Sequence, residues 1–251
     1  MSPLHALGIL AAGVVAGAIN AVVGSGTLFT FPVLLAFGYP PKVANVSNTV
    51  GLVPGSAAGA VGYRRELSGQ RARILRLGLV SAAGAVGGAV LLLGLPAAAF
   101  KRIVAVFIAL ALVLILAQPR ISRWLVRAHR SAHLRERPGP VGTTAVFASG
   151  VYGGYFGAAQ GIMLLAILGL SIDDDLQRLN ALKVVLAGLV NLVAGVIFVF
   201  AAHVAWGAAG LIAAGSIVGG LLGARWGRRL PVPALRLVIV GVGIFAIVRL
   251  L

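Results

Sequence analysis

GVVAGAINAVVGSGTLFTFPVLLAFGYPPKVANVSNTVGLVPGSAAGAVGYRR, residues 13–65, decides how the chain folds. It holds the end of an apolar run (4–23), a glycine turn, a second apolar run (27–37) and a long run (44–62) that opens on two asparagines. Crossing a bilayer takes roughly 17–25 apolar residues. The run 27–37, at about 1.5 Å per helical residue, covers only about 16 Å and cannot cross alone. The same order returns in GVYGGYFGAAQGIMLLAILGLSIDDDLQRLNALKVVLAGLVN, residues 150–191, where a short run at 161–170 follows one at 141–157. A shift of 137 lays Gly13, Gly17 and Gly24 onto Gly150, Gly154 and Gly161, and a shift of 135 lays Asn45 and Asn48 onto Asn180 and Lys183. A shift of 132 lays Gly78, Gly87 and Gly88 onto Gly210, Gly219 and Gly220.

The two copies exchange their basic loops. Arg64, Arg65, Arg71, Arg73 and Arg76 follow the third apolar run of the first copy, whereas the matching stretch Ala201 to Trp206 is uncharged. The weakly charged turn around Pro96 corresponds instead to Arg225, Arg228 and Arg229. Similar halves with swapped basic loops are the mark of an inverted-topology repeat under the positive-inside rule, an architecture found mostly in transporters and channels. Further spans at 77–95, 100–117, 179–200, 206–224 and 233–250 complete an all-α polytopic membrane protein with five segments per half. Residues 1–117 form the first repeat, 118–140 a basic cytoplasmic linker and 141–251 the second repeat.

Composition excludes the alternatives at the level of class. The chain is 60% hydrophobic and 10% charged with a mean hydropathy of +1.04, where a soluble domain is about a quarter charged. A net charge of +16 would suggest nucleic acid in a soluble protein. Here the cations sit in short loops between apolar runs, so they set orientation and face anionic lipid headgroups, and no nucleic-acid partner is expected. There is no cysteine, hence no disulfide framework and no thiolate site. The first cation is Lys42, so a signal peptide's basic start is missing and the first apolar run is expected to be retained.

The loop Arg64–Arg76, the linker cations Arg120 to Arg137, and Arg178, Arg225, Arg228, Arg229 and Arg236 fall on one side of the membrane; Lys42, Lys101, Arg102 and Arg249 fall on the other. The richer side is cytoplasmic, which puts both termini outside a bacterial inner membrane. Trp124, Trp206, Trp226, Tyr39 and Tyr63 sit at span ends as an interfacial belt would. The amphipathic linker is expected to lie along the interface.

Two constellations could carry function. Gly24-Ser25-Gly26-Thr27 precedes the short run of the first copy, where a helix N-terminus offers unpaired N–H groups, a positive dipole end and two hydroxyls. That is an oxyanion cradle. Its counterpart contributes Gln160 and Gly161. Asn45/Asn48 and Asn180/Lys183 are each three residues apart, on one helical face at the start of a long span. Polar groups there are costly unless they face protein or water. The competing expectation is that Lys183 snorkels to the interface and that the asparagines make helix–helix hydrogen bonds or, for Asn45, an N-cap. Asn20, Asn191, Tyr152 and Tyr155 are weaker candidates for lining the same cavity, and His5 and His203 near span ends do not make a metal site.

Every carboxylate (Glu66, Glu136, Asp173, Asp174, Asp175) lies in a loop, so no buried proton relay or acidic cation site has its usual residue. No hydrolase or metalloprotease motif is present and no cofactor is expected; the chain reads as a non-enzyme. Asp173–Asp175 are expected to cap the helix at 179–200. GxxxG-like spacings such as Gly84 to Gly88 permit helix association within a chain or in a homo-oligomer.

At these residues the chain resembles the TauE/SafE family of sulfite and sulfonate exporters. The likeness is carried by Gly24-Ser25-Gly26, the short run ending Pro32-Val33-Leu34-Leu35, and Ala44 followed by Asn48-Thr49, and is echoed more loosely at 150–191, so that it spans nearly the whole chain. The second copy departs in carrying Gln160 in place of a second Gly-x-Gly. The resemblance implies transport of a small sulfur oxyanion such as sulfite or an organosulfonate. An anion channel, a carrier of another small anion or of a metal ion, and a non-transporting scaffold are the alternatives.

Overall fold

The computed structural model describes residues 2–131, 138–227 and 232–250. The linker stretch 132–137, which includes Glu136 and Arg137, lies outside the described residues, as do Arg228, Arg229 and the side chain of Arg236. Ten helices follow in order: α1 (Pro3–Val22), α2 (Thr27–Ala36), α3 (Pro41–Gly62), α4 (Arg71–Gly94), α5 (Ala97–Ser131), α6 (Pro140–Tyr155), α7 (Gln160–Ser171), α8 (Leu176–Ala201), α9 (Trp206–Trp226) and α10 (Val232–Leu250). Among the described residues the protein is all-helical.

Local chemistry starts and stops these helices. Proline stands in the first turn of α1, α3 and α6, where no N–H is needed. Ser2 caps α1 by accepting from the His5 N–H, and Asp175 caps α8 by accepting from the N–H groups of Gln177 and Arg178, as expected of the acidic run. Lys42 Nζ closes the end of α4 by donating to the carbonyls of Leu95 (2.6 Å) and Leu93 (3.4 Å). α5 continues through Pro119 to Ser131, so the first part of the expected linker is an extension of that helix.

Among the described residues, five helices are long and apolar enough to cross a membrane: α1, α4, α5 as far as Ile121, α8 and α9. α3 is long enough, but Asn45, Ser47, Asn48, Thr49 and Ser56 lower its hydropathy, and all five are buried. Their polarity meets protein instead of lipid, which is why the helix is tolerated. α2 and α7 have 10 and 12 residues and are the short elements expected beside α1 and α6.

The helices pack in matching pairs. α1 lies on α9 and α4 on α6; α3 packs between α9 and α8, and α8 between α3 and α4; α10 covers α2 and α5 covers α7. Where these helices touch, the backbones come so close that only glycine fits. A Cβ on Gly88 would stand 2.1 Å from the Val151 carbonyl oxygen, and one on Gly219 would stand 1.9 Å from that of Val14. Gly84 faces Phe147 O and Val151 N just as Gly215 faces Leu10 O and Val14 N. These contacts relate α1 to α6 by 137 residues, as the sequence suggests, but α4 to α9 by 131 instead of 132. The glycine doublets 87–88 and 219–220 leave that offset ambiguous by one until the backbones touch. Gly84 and Gly88 therefore serve helix packing inside the chain.

Each short helix folds back on its predecessor. The His5 and Phe37 rings stack, their centroids 4.5 Å apart, so α1 and α2 close a hairpin that opens at the end carrying Lys42. Gly142 lies against Ser171, so α6 and α7 close a hairpin that opens at the opposite end, beside Arg73, Asp174 and Arg178. Trp124, Trp206 and Trp226 are exposed, as a belt requires. Tyr63 is a correction to that belt: it is buried, and its hydroxyl donates to the Ala21 carbonyl at 3.4 Å.

Candidate functional site

The tips of the two hairpins touch. The Gly161 N–H donates to the Gly24 carbonyl at 2.9 Å, and a Cβ on either glycine would lie 2.4 Å from the other's Cα. Gly24 has φ +84, a left-handed conformation that glycine adopts without penalty. The second tip reaches it through Gly157 (φ 74) and Ala159 (φ 59), the latter a side-chain-bearing residue held where only tertiary contacts keep it.

The two tips differ in what they leave open. At α7 the backbone donors are engaged: Gln160 N–H to Gly157 O (3.2 Å), Gly161 N–H to Gly24 O, Ile162 N–H to Ala159 O (3.0 Å). The Gln160 side-chain amide turns away and donates to the Ser149 carbonyl at 3.1 Å. The expected cradle at Gln160 and Gly161 is thus taken up by the contact between the halves. At α2 the N–H groups of Ser25, Gly26 and Thr27 meet no acceptor among the described residues, and the buried Ser25 Oγ has no partner. Asn48 organises this tip. Its Nδ2 donates to Thr27 Oγ1 at 3.2 Å, and its Oδ1 accepts from the Thr30 hydroxyl.

Asn20 joins the tip to the second half. A Cβ on Gly26 would rest 3.2 Å from Asn20 Cβ, the Asn20 amide donates to Ser56 Oγ at 3.2 Å, and the Asn20 carbonyl accepts from Lys183 Nζ at 3.5 Å. Lys183 is fully buried on α8 and does not snorkel. Its ammonium also reaches the Ala21 carbonyl at 3.5 Å, so it rests on the last-turn carbonyls of α1, at the negative end of that helix. No carboxylate pairs with it among the described residues.

Asn45 and Asn180 are brought to equivalent places. Asn45 Nδ2 donates to the Tyr155 carbonyl at 3.1 Å, and Asn180 Nδ2 to the Ala21 carbonyl at 3.5 Å. Each ties the third helix of one half to the end of the first helix of the other, and each Oδ1 is buried without a partner. Asn45 is therefore a tertiary anchor; the cap of α3 is Pro40. Tyr152 and Tyr155 instead join Phe107 in an aromatic cluster, with the Tyr152 hydroxyl donating to Ala158 O at 2.5 Å. Asn191 and His203 do not join the site, and His5 packs on Phe37.

Thr30 and Ser56 are site residues missing from the expected set. Both had a signal: Thr30 lies three residues after Thr27, and Asn45, Asn48, Leu52 and Ser56 share one stripe of α3.

Comparison with known proteins identifies the family of the chain. The family described as Sulfite exporter TauE/SafE matches residues 9–250. A Sinorhizobium protein named "Probable membrane transporter protein ORF9" is 29% identical over 250 residues, covering 98% of this chain and 93% of the relative. A Haemophilus influenzae "Probable membrane transporter protein" is 28% identical over 214 residues, covering 85% and 81%. The Escherichia coli K12 "Probable membrane transporter protein YfcA" is 28% identical over 235 residues, covering 92% and 82%. No solved structure matches the chain. With ten helices among the described residues, five of them long and apolar enough to span a bilayer, and a family match over nearly its full length, this integral membrane protein belongs to the TauE/SafE family of membrane transporters.

Proposed function

We propose that this transporter exports a small sulfur-containing oxyanion, sulfite or an organosulfonate, across a bacterial inner membrane. The observation that carries the proposal is Lys183: a fully buried ammonium resting on two carbonyls at 3.5 Å, linked through Asn20 to a helix N-terminus whose first N–H groups are unpaired. A buried cation without a counter-charge is costly, and an anion binding between it and the α2 tip would relieve that cost. Ser25, Gly26 and Thr27 supply donors, and Asn48 with Thr30 holds them in place. Gly24 and Gly161 form the seam that must part for the anion to pass.

Two inverted repeats with the cation-rich end in the cytoplasm and both termini outside fit this task. The hairpins α1–α2 and α6–α7 open at opposite ends, and Arg64, Arg65, Arg73, Arg76, Arg178 and Arg225 share one end. An inside-negative potential of 100 mV favours outward movement of a monoanion by about 2.3 kcal/mol, so export needs no membrane-embedded carboxylate.

Uptake of labelled sulfite, sulfate, sulfoacetate and taurine into proteoliposomes, with and without an imposed potential, tests the proposal. Saturable flux of one sulfur oxyanion that follows the potential is the expected result. No flux of any of them through protein shown to be folded would overturn it.

A further inference from the structure

Away from the buried site, at the end where the α6–α7 hairpin opens, a cavity of about 350 Å³ is lined by Arg73, Arg76, Arg178, Asp174, Leu77 and Pro138. Asp174 accepts from Arg73 and, at 2.8 Å, from Arg178 Nε, and Arg178 also donates to the Ser68 carbonyl at 3.1 Å. The start of α4, the α7–α8 loop and the first turn of α8 are held together there. Three guanidinium groups and one carboxylate line the cavity, and Arg76 meets no acceptor among the described residues.

The cavity has an apolar floor. Leu77 belongs to a buried cluster with Leu164, Leu168, Leu179 and Leu182, which separates the arginines from the polar site below. It is therefore a pocket distinct from the buried polar site. One wall continues outward as lipid-facing surface: Leu79, Ala83, Val86 and Val90 follow Arg76 at helical spacing on the exposed face of α4. Arg76 thus heads an apolar stripe that runs down into the depth of the bilayer.

We infer that this cavity binds the phosphate of an anionic phospholipid, with Arg73, Arg76 and Arg178 around the headgroup and an acyl chain along Leu79 to Val90. A planar guanidinium pairs with phosphate oxygens through two parallel hydrogen bonds, and the stripe selects a lipid over a free ion. The bound lipid braces the α7–α8 loop against α4.

Thermal unfolding of the full chain in a maltoside detergent tests this, with phosphatidylglycerol, phosphatidylcholine or inorganic phosphate added at equal concentration. At a hundredfold excess over Kd, phosphatidylglycerol is expected to raise Tm by roughly 5–10 °C. Arg76→Gln should lose most of that rise, Arg76→Lys should keep part of it, and Lys101→Gln, at the other end, should keep all of it. An equal rise with phosphatidylcholine overturns the inference, as does a full response in Arg76→Gln. So does inorganic phosphate reproducing the whole rise, which marks a soluble-anion site instead. The comparison of three additives on the unaltered chain stands even if a variant does not fold.

Discussion

Gly24 and Gly161 meet backbone to backbone: the Gly161 N–H donates to the Gly24 carbonyl at 2.9 Å, and neither residue has room for a Cβ. The bond joins the tips of two short helices more than a hundred residues apart in the chain. It uses the first backbone donor of α7 that an anion could otherwise have taken, and it leaves the α2 tip as the open one.

Gly161→Ala is expected to be more informative than Gly24→Ala. The Gly24 change adds a left-handed strain of about 1–2 kcal/mol to the clash, whereas Gly161 carries no positive φ and tests the clash alone. Overpacking against backbone costs about 1–3 kcal/mol. Both variants should unfold at lower temperature than the unaltered chain and lose flux. A Gly161→Ala protein with unchanged Tm and flux would show that the seam is loose.

Lys183→Gln should abolish anion flux while the protein still inserts and folds, because it removes the charge but keeps a donor for the α1 carbonyls. Lys183→Met tests the opposite balance: it removes a buried charge, so it should unfold no lower than the unaltered chain and still carry no anion. Flux assays beside Tm separate the two, and undiminished transport by either variant removes Lys183 from the site.

Asn45→Ala and Asn180→Ala each break a bond between the halves. The Asn45 bond to Tyr155 O is the shorter, 3.1 Å against 3.5 Å, so its loss should be the costlier, at about 1–3 kcal/mol for a buried carbonyl left unpaired. Tm in detergent should order the variants as unaltered chain, Asn180→Ala, then Asn45→Ala.

Gly88→Ala and Gly219→Ala should both destabilise strongly, since the added methyl would press on the Val151 and Val14 carbonyl oxygens. Gly87→Ala is the control. Its Cβ would meet nothing closer than 3.9 Å, so its Tm should hold or rise slightly from the added helix propensity.

Asp174 predicts how stability responds to acid. Partial burial works to raise its carboxyl, and this is outweighed by hydrogen bonds from Arg73, the Asp175 N–H and Arg178, which hold it below the usual carboxylate range. A depressed folded value contributes stability that is fully present above the unfolded value, about 3.9, and is lost as pH falls through the folded one. Asp174→Asn should lower Tm at neutral pH and flatten the decline below about pH 4. An identical acid profile in the two proteins would show that the Arg73–Asp174–Arg178 cluster adds nothing to stability.

The sequence by itself determined the class of fold. Lipid cannot satisfy backbone polar groups, so long apolar runs had to be helices, and runs too short to cross had to turn back inside the protein. It also marked Asn45, Asn48, Asn180 and Lys183, because polar groups in an apolar helix need a partner. Only the tertiary structure decided what those partners are. Packing of α1 against α9 and α4 against α6 set the offset that adjacent glycines leave open. Contact between the tips spent the Gly161 N–H on Gly24, and the end of α1 drew Lys183 inward onto Asn20 and Ala21. Hydropathy and spacing are properties of one helix at a time; which carbonyl stands opposite a buried donor depends on two helices that approach only in the folded chain.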